Sequence, residues 1–308
     1  MGNANTALKG PRFELQLGEE GYPELLAQIP EPPERLYGIG DPAVLVPGIA
    51  VIGARKATPY GLAAARRFAR HAAKRGVPIV SGGARGCDQE AHKAALEMGA
   101  PTVAVFGSGA DVAYPASGRR LFQELLDSGG AIISENPWGT PAMPHTFLLR
   151  NRVIAGLAML LVIAEAGLPS GTFSTADAAL EANRVVATVP GSISSPTSRG
   201  ANHLIVQGAH PIIDEATLDA AIDDAFMHLP LSVMEPPQAE GSVKSWERMV
   251  KADPLLAALA SEAYTPGELT AYFDFSAAEL HRRLAHYEVR GLVERGRDGR
   301  YQAVLGSL

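Results

Sequence analysis

Seven short apolar runs, six of them followed by a helical pattern, constrain this chain more than any other feature. Strands are read at 49–53, 77–81, 102–106, 131–134, 159–164, 185–189 and 210–213. Helices are read near 59–75, 87–98, 117–127, 146–157, 172–183 and 201–207. A strand covered on both faces reads as an unbroken Val/Ile/Ala/Leu run. Such runs alternating with helices across short loops predict a mainly parallel sheet with helices on both faces. Open sheets of this kind bind ligands beyond the carboxyl ends of their strands, so the strand-to-helix loops are where function is sought.

Three of those loops are built from small residues. Ile49-Ala-Val-Ile-Gly-Ala-Arg-Lys56 and Val77-Pro-Ile-Val-Ser-Gly-Gly-Ala-Arg-Gly86 carry Arg beside Gly, whereas Thr102-Val-Ala-Val-Phe-Gly-Ser-Gly109 has the glycines alone. Gly after a strand lets the backbone turn and approach a ligand. A helix start adds free N–H groups and a positive dipole end that favour phosphate. The predicted anion-binding set is therefore Gly53, Arg55, Lys56, Ser81, Gly82, Gly83, Arg85, Gly86, Gly107 and Ser108. Arg150-Asn151-Arg152 suits phosphate and sugar contacts, although positions i and i+2 do not share a helix face. One of the two Arg could instead pair with Glu135 or Glu165. Ser170-Gly171-Thr172 is a further anion seat or an ordinary helix cap. Arg119 and Arg199 complete the candidates, each with a solvated face as its plain alternative.

Charge is uneven along the chain, which sums to −6. Residues 1–44 are net −4, 45–213 net +5, 214–243 net −7 with no Lys or Arg, and 244–308 neutral. The Gly-rich body is thus cationic between acidic flanks, and its local field governs binding. Residues 1–45 are read as a short, loosely structured leader. Residues 46–227 form the sheet domain, 228–247 a Pro-rich linker, and 248–308 a small domain. In that last stretch three amphipathic helices, near 253–261, 266–272 and 276–290, precede a hairpin turning at Asp298-Gly299, a winged-helix-like pattern.

Several classes lose support. No run is long and apolar enough for a membrane span, and the N-terminus has no secretory pattern. The single Cys87 excludes an internal disulfide. These features point to the cytoplasm. G-x-x-x-x-G-K-[ST], H-E-x-x-H and C-x-x-C are missing, so neither nucleotide hydrolysis nor a metal or other cofactor is expected. His145, His203 and His210 are scattered.

Taken in order, Val51-Ile-Gly-Ala-Arg-Lys-Ala-Thr-Pro-Tyr-Gly61, Ser81-Gly-Gly-Ala-Arg-Gly-Cys-Asp88, Tyr114-Pro115, Arg150-Asn-Arg-Val-Ile-Ala-Gly156, Glu165, Ser170-Gly-Thr172 and Val189-Pro-Gly-Ser192 resemble the DNA-processing protein A family (DprA, also called Smf). The resemblance implies an extended Rossmann-like fold with a C-terminal winged-helix-like domain. It implies single-stranded DNA binding, homodimerisation, and loading of a RecA-type recombinase during natural transformation, with no catalysis. Carried over, Arg55, Lys56, Gly82, Gly83, Arg85, Gly86, Arg119 and Arg150–Arg152 would line the DNA pocket. The sequence departs from the family pattern at Gly83, Cys87 and Gly118. The loop 136–146 lacks a basic residue often found there, though Trp138, His145 and Phe147 could stack on bases. The dimer interface is expected at His203, Leu204 and Ile205, in a segment with more apolar residues than one inner helix face needs. The competing reading is a nucleotide-processing, phosphoribohydrolase-like enzyme, with Asp177 as the acid nearest the Ser-Gly-Thr loop.

Overall fold

A computed structural model describes residues 8–227, 253–261, 264–273, 275–289, 292–296 and 299–303. The chain divides into two compact units, Met1–Pro236 and Pro237–Leu308. The expected linker 228–247 lies outside the described residues.

The first unit holds a nine-stranded sheet. In chain order its elements are β1 (Arg12–Gln16), α1 (Glu24–Ala27), β2 (Arg35–Gly40), β3 (Gly48–Ile52), α2 (Pro59–Lys74), β4 (Ile79–Ser81), α3 (Cys87–Glu97), β5 (Thr102–Val105), α4 (Arg119–Asp127), β6 (Ala131–Ser134), α5 (Pro144–Gly156), β7 (Ala158–Ile163), α6 (Thr172–Glu181), β8 (Val185–Thr188), α7 (Arg199–Val206), β9 (His210–Pro211) and α8 (Glu215–Phe226). The strand order is β1-β2-β6-β5-β4-β3-β7-β8-β9. From β6 to β9 every neighbouring pair is parallel, while β1 and β2 are antiparallel additions at one edge. The Rossmann-like expectation for the sheet holds.

Side chains alternate across the sheet. On β7, Leu161 and Ile163 join the core beneath α5 and α6, whereas Leu160 and Val162 join the core beneath α2, α3 and α8. Both faces are apolar, which is why these strands read as unbroken hydrophobic runs. The covering face of α2 is mostly alanine (Ala64, Ala65, Ala69, Ala72, with Phe68), so the helix lies close to the sheet.

Three expectations change. The residues read as a loose leader contain β1 and β2, paired from Arg12↔Ile39 to Gln16↔Arg35, and β2 joins the sheet beside β6. The seventh strand is only His210–Pro211, on the far edge. The acidic stretch beginning at Asp214 starts with an unforeseen helix, α8. Asp214 caps it by accepting from the Thr217 N–H at 2.9 Å, and Leu218, Ala221, Ile222 and Ala225 turn inward. Among the described residues no helix is long and apolar enough to cross a membrane.

In the second unit three helices, Pro254–Ser261, Pro266–Tyr272 and Ala277–Val289, share a core of Leu255, Leu259, Leu269, Leu280, Leu284 and Tyr287. An antiparallel pair, Val293–Arg295 with Tyr301–Ala303, completes it. Gly299 takes φ +81° in the turn; Asp298 lies outside the described residues.

Candidate functional site

A cleft of about 720 Å³ opens beyond the carboxyl ends of the central strands. Its walls come from the loop after β3, the start of α5, and the loop between β7 and α6. Of the predicted residues, Gly53, Arg55, Lys56, Arg150, Asn151, Ser170, Gly171 and Thr172 line it.

The rim is formed by an exposed loop on a fixed base. A Cβ on Gly53 would lie 2.7 Å from Cys87 Sγ, so a side chain there would separate the first two loops. Gly86 takes φ +85° and passes directly under the Ala54 carbonyl. The Cys87 N–H donates to that carbonyl at 3.4 Å, and the Ala54 N–H donates to the Glu165 carbonyl at 2.9 Å. The loops after β3, β4 and β7 are therefore interlocked through their backbones. Buried Glu165 reinforces this: its Oε2 accepts from the Thr58 N–H at 3.0 Å and from the Thr58 hydroxyl at 2.8 Å. Thr58 in turn accepts from the Gly61 N–H at 3.2 Å and caps α2. On this base Arg55 and Lys56 are exposed. The Arg55 guanidinium lies 5.3 Å from the centre of the Phe147 ring, and Phe147 lies 5.1 Å from Tyr114, which is 48% exposed.

The floor differs. Arg150 is 4% exposed, and its Nη1 donates to the Gly82 carbonyl at 2.6 Å and to the Val105 carbonyl. Burial pushes its pKa down to about 10. Asp88 lies close by, its carboxyl pushed up to about 6 by burial against the opposing pull of Arg150. Asp88 accepts from the Ala84 N–H at 3.3 Å. Arg150 thus ties the ends of β4 and β5 together while facing the cleft. Asn151 donates to Ser174 Oγ at 2.8 Å, and the Ser170 and Thr172 hydroxyls are 2.8 Å apart.

The other predicted residues do not line the cleft. Buried Ser81 donates to the Val51 carbonyl at 2.6 Å, and Ser108 to the Val112 carbonyl at 2.7 Å, so both hydroxyls are used within the fold. Gly82 sits against Arg150, Gly83 (φ +69°) against Phe122, and Gly107 against Phe147. Arg85 is exposed and follows Ala84 of the cleft lining, with no ion-pair partner among the described residues. Arg152 is bound to Glu135 at 2.7 Å, the structural alternative read for one of the two Arg. Arg119 is half-buried on the first turn of α4, and Arg199 is exposed at the start of α7. Of the expected dimer residues, His203 is exposed, Ile205 is half-buried, and Leu204 packs into the chain's own core. Trp138 is committed elsewhere: Arg12 stacks 4.5 Å from its ring centre and its Nε1–H donates to Glu14 at 3.0 Å. The Cys87 thiol is buried and pushed up to about 12 by that burial, so it is unreactive. Among the described residues no cluster of metal-ligating side chains occurs.

Sequence reasoning missed Asp88 and Leu168 in the walls and the anchoring bond from Glu165 to Thr58. One signal for Glu165 was legible: an acid two residues past an apolar central strand requires a partner.

Residues 14–222 match the family model described as DNA recombination-mediator protein A. Protein Smf of Synechocystis sp. is 37% identical over 219 residues, covering 70% of this chain and 54% of that protein. The chain thus spans about half the length of this curated relative. DNA processing protein A of Streptococcus pneumoniae superposes with a TM-score of 0.64 at 35% identity, over 69% of this chain and 74% of that one. DNA processing protein A of Helicobacter pylori, whose structure was determined to describe its single-stranded DNA binding mode, superposes with a TM-score of 0.63 at 30% identity, over 70% of this chain and 97% of that one. With the family model matched from the first edge strand into α8, this chain belongs to the DNA recombination-mediator protein A family.

Proposed function

We propose that the cleft binds single-stranded DNA with little dependence on sequence, and that the bound strand is delivered to a RecA-type recombinase during natural transformation. The observation carrying this reading is the rim: exposed Arg55 and Lys56 beside Phe147 and Tyr114. Cations that track a phosphate backbone, next to aromatic faces on which bases stack, make a single-strand site. A duplex keeps its bases paired and offers those rings nothing. The binding described for the Helicobacter pylori relative supports the same reading. The enzyme reading has less support, since Asp177 is exposed on α6 and does not line the cleft.

Two assembly features belong to the same proposal. The chain dimerises through α7 and the segment containing β9 that follows it, where Val206 is 85% and Ile213 61% exposed beside His203 and Ile205. Leu204, which packs internally, is removed from the expected interface. The second unit is a winged-helix-like module, supported by its three helices and antiparallel pair.

The test is fluorescence anisotropy with a labelled oligothymidylate, a duplex of equal length, and a salt series, alongside an assay for nucleoside monophosphate turnover. Single-strand binding that weakens steeply with salt supports the proposal. Equal affinity for duplex, or turnover, overturns it.

A further inference from the structure

The outward face of α2 carries a second cationic feature that the cleft does not use. Ala63, Arg66, Arg67, Arg70, His71 and Lys74 line a groove of about 320 Å³, with Glu215 of α8 at its side. Along this helix Arg66 and Arg70, and Arg70 and Lys74, stand four residues apart, while Arg67 and Arg70 stand three apart. Like charges at these spacings repel and cost helix stability, so the row is an expense that packing does not explain.

The flanking acids account for only part of the row. Glu90 and Glu97 hold Arg66 from one side. Glu215 holds Arg67 from the other, and Asp219 holds His71 at 2.8 Å. These pairs fix the groove walls. Arg70 and Lys74, between them, are exposed with no ion-pair partner among the described residues. The groove has no Phe, Tyr or Trp in its lining, and its one imidazole, His71, is held by Asp219, so it has charge for phosphate and little for bases.

Its position gives it a ligand. Helix α2 starts at Pro59, three residues after Lys56 on the cleft rim. At about 1.5 Å per residue, Arg70 and Lys74 lie roughly 17 and 22 Å along the helix from its start. We infer that the α2 groove is a backbone-only track for the phosphodiester of a strand leaving the cleft over the Arg55–Lys56 loop. This inference rests on the proposed single-strand function of the cleft. An oligonucleotide that merely fills the cleft does not reach the track, whereas a longer one does.

The test compares the full chain with an Arg70→Gln/Lys74→Gln variant on oligothymidylates of about 6 and about 30 nucleotides, lengths within and beyond the span of a single compact site. Each single-strand phosphate contact contributes about 0.7 to the salt slope, so two lost contacts weaken the long oligonucleotide on the order of 10- to 30-fold near 0.1 M salt and lower its slope by about 1.4. The short oligonucleotide should bind the variant and the wild type equally. Equal loss for both lengths, or no loss for the long one, overturns the track while leaving the cleft reading intact. If the wild type binds neither length, the cleft reading falls and the track falls with it. Both side chains are exposed, and an unchanged melting temperature verifies that the comparison is between folded proteins.

Discussion

The rim and the floor of the cleft use the same residue type for opposite purposes. At the rim, Arg55 and Lys56 stand in solvent on a loop whose backbone is fixed from below. At the floor, Arg150 is buried, and two strand-end carbonyls use its N–H groups. An exposed cation costs the fold little and is available to a ligand. A buried cation is committed to the fold, because its removal strands the carbonyls it served and the nearby Asp88. The comparison teaches that a cluster of arginines at a strand edge divides into those that bind and those that build.

The sharpest way to break this division is at the floor. Arg150→Met should destabilise the first unit by about 3–5 kcal/mol, the range for removing one member of a buried charged arrangement. That corresponds to a melting temperature lower by on the order of 10 °C. A variant that melts with the wild type yet no longer binds DNA would move Arg150 to the rim class.

At the rim the expectation is reversed. Arg55→Ala should weaken single-strand binding by about 1–3 kcal/mol, the range for a charge-assisted contact. Its stability should change by no more than about 0.5 kcal/mol, as for other surface substitutions. Titration and thermal melting of the same sample measure both. Loss of stability without loss of affinity would place Arg55 with the floor.

Between the two lies the joint that holds the rim loop. Glu165→Ala removes the one oxygen that accepts both Thr58 bonds and should cost about 1–3 kcal/mol. Thr58→Ala alone should cost about 1 kcal/mol through the lost helix cap. Since the two side chains share bonds, the double variant should cost less than the summed singles. Strict additivity in a urea double-mutant cycle would show that Glu165 does not act through Thr58.

This division was only partly legible in the sequence. The parallel core was readable because strands buried on both faces, such as Leu160 to Ile163, have one composition throughout. The edges were not. In β1 only Phe13 and Leu15 turn toward the core, within a stretch rich in Pro and acids, and Phe13 lies over Gly38 of β2. Helix α8 was obscured by its charge: Glu215, Asp219 and Asp223 read as an acidic flank, yet they face Arg67 and His71 of α2 and Arg75 at its C-terminal cap. Much of the cationic excess of the sheet domain is neutralised there. In the site, residue types were correct but depth was not, because Arg55, Arg150 and Arg152 look alike in sequence. What separates them is which carbonyl or carboxylate lies opposite after folding. Only the i, i+2 spacing of Arg150 and Arg152 hinted that they face apart.

The smallest expected effect concerns how the floor influences what the rim holds. Burial raises the Asp88 carboxyl from 3.8 to about 6, so the folded chain holds this proton more tightly than the unfolded chain does. The Asp88 contribution to stability is therefore most favourable below about pH 4, declines as pH rises to about 6, and is constant above. Binding follows the same proton. Above pH 6 Asp88 places a negative charge in the cleft lining, opposing phosphate; below it the carboxyl is neutral and the field of Arg150 is uncompensated. Single-strand affinity should rise on acidification from pH 7.5 to 5 by roughly severalfold from this source, on the order of 1 kcal/mol for one charge in the cleft lining at an effective dielectric near 20. Asp88→Asn keeps an oxygen for the Ala84 N–H and removes the charge. It should bind at pH 7.5 as tightly as the wild type does after that gain, and lose this part of the pH dependence. Every other titrating group is common to the two proteins, so the difference between the two profiles isolates Asp88. Superimposable profiles would show that the floor carboxylate has no influence on the bound strand.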